Sequence, residues 1–111
     1  MNKLARYRNV LQAIVHQHAQ FTPSYEKIEA LAICDIPSDN YLLIDTGWDN
    51  TGRVHAVVFH LRLVGDKIWL EVDGTTPGTA QELLERGVDK NDLVLGFYRP
   101  ERRKIVDFSL V

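Results

Sequence analysis

The stretch Val54–Asp73, VHAVVFHLRLVGDKIWLEVD, decides the fold. Side chains along a strand point alternately to its two faces, so a period of two in hydropathy marks an extended chain with one buried face. Val54 to Leu63 reads as a long strand, with His55, Val57, Phe59 and Leu61 on one face and Val54, Ala56, Val58 and His60 on the other. Val64-Gly65-Asp66-Lys67 turns the chain, and Ile68, Leu70 and Val72 then alternate with Trp69, Glu71 and Asp73 in a second strand. Two strands joined by so short a turn pair antiparallel.

Upstream, Tyr41 to Thr46 and Ile28 to Asp35 carry the same period. Gly47-Trp48-Asp49-Asn50-Thr51-Gly52 interrupts it as a hairpin connection, and Ile36-Pro37-Ser38-Asp39-Asn40 is rich in turn formers. Residues 2–20 differ: Leu4, Tyr7, Leu11, Ile14 and His18 recur at spacings of three and four, with Val10 and Val15 widening the stripe, which predicts an amphipathic helix. Phe21-Thr22-Pro23 ends it, since proline disfavours helical geometry in the residue before it. Downstream, Thr76 before Pro77, or Thr79 one step later, is placed to cap a second helix with Ala80, Leu83 and Leu84 buried and Gly87 closing it. Asp89 is placed to cap a short turn at Lys90 to Asp92. Leu93 to Tyr98 is apolar and strand-like, Arg99 to Lys104 reads as a charged surface loop, and Ile105 to Leu110 as a last short strand. These elements predict an α+β fold: N-terminal helix, four-stranded antiparallel meander, second helix and C-terminal strand segment.

With 111 residues the chain is the size of one domain, residues 1–111, and 45% hydrophobic against 25% charged residues suits a folded core rather than disorder. Charge is unevenly placed. Residues 1–25 hold three bases and no acid, residues 26–92 hold 13 acids against 6 bases, and residues 93–111 hold 4 bases against 2 acids. The net charge of −2 argues against tight autonomous DNA binding, which draws most of its affinity from a basic surface. Cys34 is the only cysteine, so no disulfide forms within the chain. The N-terminus lacks the apolar core of a signal peptide, and no apolar run approaches the ~20 residues of a membrane span. A cytoplasmic protein with no membrane contact is expected.

No catalytic set, metal site or cofactor is expected. His16 and His18 lie about 200° apart around a helix, and His55 and His60, five apart on a strand, point to opposite faces. His18 and one strand histidine suit half-buried, hydrogen-bonded positions. Glu71 and Asp73 share a strand face, a spacing that suits either a hard cation and acid–base work or solvated surface. Cys34 in an apolar strand suits an inert thiol. No Gly-x-Ser-x-Gly elbow, phosphate-binding loop or dinucleotide fingerprint is present.

The remaining candidates are for contact with macromolecules. Trp69, beside Glu71 and Asp73, is either covered by a helix or part of an interface, and Trp48, next to Asp49, either pins its turn onto the core or meets a partner. Trp48, Asp49 and Trp69 are thus the partner-binding candidates. Arg99, Arg102, Arg103 and Lys104, next to Tyr98, are the nucleic-acid-binding candidates.

Taken in order, the helix with Tyr7-Arg8, the strand ending at Asp35, Tyr41-Leu42-Leu43, Gly47-Trp48-Asp49, Val54-His55, His60, Lys67-Ile68-Trp69-Leu70, Asp73-Gly74-Thr75, Glu82-Leu83-Leu84-Glu85-Arg86-Gly87-Val88, Asp92-Leu93-Val94-Leu95-Gly96-Phe97 and Arg99-Pro100 form a recognisable set. The chain resembles the XisI family, the fdxN element excision controlling factors of cyanobacteria, from Leu4 to Phe108. It departs from that pattern at the Thr51-Gly52 turn and at Asp89, where proline is expected. The resemblance implies an XisI-like fold and a role in programmed, site-specific DNA excision during heterocyst differentiation. It implies a nuclease-like XisH protein as partner, bound by a controlling factor that is not itself the recombinase, and it supplies no catalytic residues. Two modes of action follow as expectations: binding to an XisH-like protein or to itself as a homo-oligomer, or direct contact with DNA through the basic C-terminal loop together with Arg6 and Arg8.

Overall fold

The computed structural model describes residues 2–21, 27–75 and 78–103, with the side chains of Arg102 and Arg103 left out. Helix α1 (Lys3–Gln20) is followed by strands β1 (Lys27–Asp35), β2 (Asn40–Asp49), β3 (Gly52–Val64) and β4 (Lys67–Asp73). Helix α2 (Thr79–Glu85), a single 3-10 turn at Lys90–Asp92, strand β5 (Leu93–Leu95) and the short helix α3 (Pro100–Arg103) complete it. The strands form one sheet in the order β1-β2-β3-β4-β5. The first four are an antiparallel meander, as expected, and β5 adds to β4 in parallel, which makes the sheet mixed. A parallel neighbour needs a crossover, and α2 provides it.

The α1 stripe forms as its periodicity predicts. Asn2 caps the helix by accepting the Ala5 N–H at 2.8 Å, and Tyr7, Leu11, Ile14 and Val15 are buried against β1, β2 and β3. The sheet answers with Tyr41, Leu43, Phe59, Leu61, Leu63, Ile68 and Leu70, and α2 adds Leu83. Ala80 and Leu84 pack partly buried beside it, and Gly87, at φ +91°, closes the helix in the conformation that glycine adopts without strain. Asp89 caps the 3-10 turn through Asn91 N–H, as expected.

Two β-bulges correct the predicted strand faces. Leu43 pairs with Phe59 but Ile44 with Val57, so Val58 is an extra residue in β3; His60 pairs with Val72 but Leu61 with Leu70, so Glu71 is an extra residue in β4. Each extra residue flips the alternation beyond it. Phe59, Leu61 and Leu63 therefore face α1, while Val57 and His55 turn to the far side.

Three boundaries also differ. Gly47, Trp48 and Asp49 belong to β2, pairing with Val54, Arg53 and Gly52, so only Asn50-Thr51 turns the hairpin. The extended segment after the 3-10 turn stops at Leu95, and Pro100–Arg103 is one helical turn rather than loop. Thr79 begins α2 instead of capping it. The expected cap at Thr76-Pro77 and the strand at Ile105 to Leu110 lie outside the described residues.

Candidate functional site

The sheet has one face covered by α1 and one without a helix upon it among the described residues. Because Tyr41 and Leu43 point to α1, their neighbours Leu42 and Ile44 point away, and register carries that face to Leu31 and Ile33 on β1 and to Val57 and His60 on β3. Two cross-strand rows result: Leu31–Ile44–Val57, and Ile33–Leu42–His60–Val72. Ile33, Val57 and Val72 are exposed. A contiguous apolar centre on an open sheet is the kind of surface that meets another macromolecule.

One end of this face carries the row Lys27–Trp48–Arg53. Trp48 is 57% exposed, so it does not pin a turn onto the core. The Arg53 guanidinium lies 5.6 Å from the Trp48 ring centroid and donates to Gly47 O and Thr46 Oγ1 at 3.2 Å each. That cation–π contact braces the exposed indole. Arg53 carries no local signal of a site residue, because its place opposite Trp48 depends on β2 running on through Gly47–Asp49, residues whose composition suits a turn. Gly47, at φ +151°, lets the start of β1 close onto this end, since a Cβ there would collide with the Lys27 carbonyl. Asp49 is occupied locally: its carboxylate accepts from Thr51 N at 2.8 Å and Thr51 Oγ1 at 2.5 Å, bonds that lower its pKa. Trp69 shares the face of Trp48 but lies toward the opposite end, half-buried with Gly96 against its ring. The fold thus puts the two tryptophans on one face without bringing them together.

The acid pair expected on one face of β4 is separated by the bulge. Glu71 lies on the far side and takes a 2.9 Å bond from Arg62. Asp73, opposite Phe59, turns to the helix side and organises the entry to α2. Its Oδ2 accepts Thr79 N at 2.8 Å, and Oδ1 accepts Thr75 N at 3.1 Å, Thr75 Oγ1 at 2.7 Å and Thr79 Oγ1 at 3.1 Å. Burial works against the charge of this carboxyl, but the Thr75 and Thr79 bonds hold its pKa below the usual range. The N-cap residue of α2 is Gly78, which has no side chain to offer, and Asp73 supplies the capping carboxylate from the preceding strand.

The same bulges place His55 and His60 on one face, against expectation. His55 Nδ1 lies 3.1 Å from Thr46 Oγ1 and His60 Nε2 2.9 Å from Asn40 Oδ1. Burial lowers the His60 pKa. His18 is half-buried, 2.7 Å from Glu82 Oε2 and edge-on to Phe59, and His16 is exposed on the opposite side of its helix. Cys34 is half-buried and burial raises its thiol pKa, which keeps it a poor nucleophile. Among the described residues no three His, Cys, Asp or Glu side chains gather as a metal site.

The bases of α1 are engaged by the fold. Lys3 Nζ lies 2.8 Å from Asp92, Arg6 donates to Gly87 O at 3.1 Å, and Arg8 grips both Asp39 oxygens at 3.0 and 3.1 Å. Asp39 sits in the turn before β2 at φ +54°, and its pKa is lowered by the Arg8 bonds. Arg99 is exposed just ahead of α3, Arg102 and Arg103 belong to that helical turn, and Lys104 lies outside the described residues.

No helix among the described residues is long and apolar enough to cross a membrane. The arrangement is that of a small α+β protein, helix-backed on one side, whose distinguishing surface is an open sheet face. It belongs to the XisI family: the model of that family, described as XisI protein, matches residues 1–110. A crystal structure of a XisI-like protein from Anabaena variabilis superposes with a TM-score of 0.89 at 28% identity, covering 97% of this chain and 99% of that one. The fdxN element excision controlling factor XisI from Anabaena variabilis superposes with a TM-score of 0.83 at 31% identity, covering 99% and 100%. No curated protein matches the chain.

Proposed function

We propose that this chain is a controlling factor of site-specific DNA element excision in the cytoplasm, and that it acts by binding a nuclease-like XisH partner rather than by catalysis. Membership of the family and the 31% identity to a protein named as an excision controlling factor support the role. The observation that carries the mode of action is Trp48, exposed and braced by Arg53 at the rim of an open sheet face. Exposed, pre-oriented aromatic side chains are typical anchors of protein interfaces. Trp48 with Arg53 is the contact that matters most. Asp49 orients the hairpin beneath it, and Trp69 borders the far end.

Co-expression with an XisH-like protein and affinity capture tests this. A complex at micromolar concentration is expected, weakened at least about tenfold by Trp48→Ala, or about 1.4 kcal/mol. No complex, or one indifferent to Trp48, refutes it. The second reading, direct DNA contact through Arg99, Arg102, Arg103 and Lys104, draws on the exposed Arg99, while Arg6 and Arg8 add little to it because Gly87 O and Asp39 engage them. It requires duplex binding that falls steeply with salt and is lost in Arg102→Ala/Arg103→Ala.

A further inference from the structure

We infer that the free edge of β1 is a pairing edge, and that its occupant is β1 of a second copy of this chain, running antiparallel. β1 is an outer strand of the sheet, 9 residues long, with neither proline nor glycine and with an unbroken register to β2. Strand edges that must stay single are commonly blunted by short length, proline or a bulge, and this one has none of these. The direction of its free backbone groups follows from the β2–β3 hairpin. Asp49 and Gly52 flank a two-residue turn as a hydrogen-bonded pair, so Trp48, Thr46 and Ile44 turn their backbone groups to β1. Lys27, Glu29 and Leu31 answer them, which leaves Ile28, Ala30, Ala32 and Cys34 aiming N–H and C=O outward. Among the described residues no other strand meets that edge.

Charge and backbone bonding together select a second copy and one register. A two-fold axis normal to the sheet and beside Leu31 sets exposed Lys27 opposite exposed Asp35 at both ends, and Leu31 opposite its own copy. All four outward-facing residues then find partners: Ile28 pairs with Cys34 and Ala30 with Ala32, each twice by symmetry. Moving the axis to Ala32 sets Glu29 against Asp35, like charge on like. Moving it to Ala30 carries Cys34 and Asp35 past the start of the partner's strand and leaves Lys27 beside Ile33. Both shifts also form fewer backbone bonds. In the chosen register Glu29 stands beside Ile33, and its charge stays in water, because edge pairing joins the two sheets side by side and covers neither open face. Pairing of this isologous kind closes as a dimer with one continuous sheet. Trp48 and its face remain free, so this pairing and the capture of an XisH-like protein stand or fall separately.

Sedimentation equilibrium of the full chain over about 1–100 µM, with disulfide trapping for the register, is the test. A dimer is expected. Ala32→Pro converts it to monomer by deleting an outward N–H, a change that an edge strand accepts with its far-ultraviolet spectrum unaltered. Lys27→Asp and Asp35→Lys each set like charges opposite one another and weaken the dimer about tenfold, and Lys27→Asp/Asp35→Lys restores it. Both positions are exposed, so they decide the matter if Ala32→Pro does not fold. In a Cys34→Ala background, mild oxidation links Leu31→Cys into a covalent dimer, since opposite residues of a non-hydrogen-bonded pair lie about 4.5 Å apart at Cα. Ile33→Cys, facing Glu29, stays unlinked. A monomer at about 100 µM overturns the inference, whether another segment of this chain or a strand of a different protein takes the edge. So does a dimer indifferent to Ala32→Pro, one whose charge variants the double swap does not rescue, or one that Ile33→Cys links as readily as Leu31→Cys.

Discussion

Replacing Asp73 by alanine removes a side chain that accepts four hydrogen bonds while touching no other charge. The Thr79 N–H loses the cap of α2, which costs about 1 kcal/mol. The Thr79 hydroxyl, fully buried, keeps only its 3.1 Å contact with Thr75 Oγ1, so losing the carboxylate adds about 0.5–1 kcal/mol. The two Thr75 bonds, in a half-buried turn, add about the same again. The expected loss is about 2–3 kcal/mol, equivalent to about 1–2 M in the urea midpoint for a domain this size. Urea unfolding followed by circular dichroism measures it. Thr79→Val removes the buried hydroxyl as well as its need for an acceptor, so Asp73→Ala should cost less in that background, with a coupling near 1 kcal/mol, give or take about 0.5. An Asp73→Ala loss below about 0.5 kcal/mol would refute the assignment of Asp73 as the cap, and strictly additive effects would refute the bond between its carboxylate and the Thr79 hydroxyl. If Asp73 instead served chemistry, the variant would lose function with its stability intact.

Two further outcomes follow from the same geometry. Gly47→Ala forces a side chain into the Lys27 carbonyl at a positive φ, and should cost about 2–4 kcal/mol, with early amide exchange at the Lys27–Trp48 end of the β1–β2 pair; a loss under about 1 kcal/mol would contradict it. Stability should also fall with acid in two stages. Asp39 is held below its ordinary pKa by Arg8, and Asp92, against its burial, by Lys3 and Tyr7. Their contribution is complete above the ordinary carboxylate value of about 4 and vanishes as pH drops through the lower folded values. His60, whose pKa burial lowers, loses its share earlier, as pH falls from about 6.5. The urea midpoint against pH should show both stages, with His60→Asn flattening only the upper one and Asp92→Asn only the lower.

What the sequence disclosed and what it hid have distinct physical origins. The α1 stripe is read correctly because every residue of a helix obeys one period, and Leu11 and Ile14 have no role but burial. The meander is equally plain, because Gly65-Asp66 and the cluster at residues 36–39 are turns in any context. The faces beyond Val58 and Glu71 are not, because a bulge carries no composition of its own yet reverses everything past it. This is why Glu71 and Asp73 seemed paired and His55 and His60 seemed opposed. Gly47 and Asp49 looked like turn residues since neither favours strands, although pairing to Val54 and Gly52 keeps them extended. Trp48 stood out as a candidate, but Arg53 and the apolar rows of Ile33 and Val57 depend on register, which no local pattern reveals.

Asp92 receives the Tyr7 hydroxyl at 2.6 Å and the Lys3 ammonium at 2.8 Å, while Arg6 reaches the carbonyl of Gly87. The opening helix is thus stitched to a part of the chain made more than eighty residues later. During synthesis Lys3 and Tyr7 have no such anchor until the 3-10 turn has left the ribosome, although Arg8 can already grip Asp39. The meander can assemble early and cover Leu11, Ile14 and Val15, but the final locking of the molecule must wait for its far end, so a polypeptide interrupted before Asp92 would carry the Tyr7 hydroxyl and the Lys3 ammonium without their carboxylate.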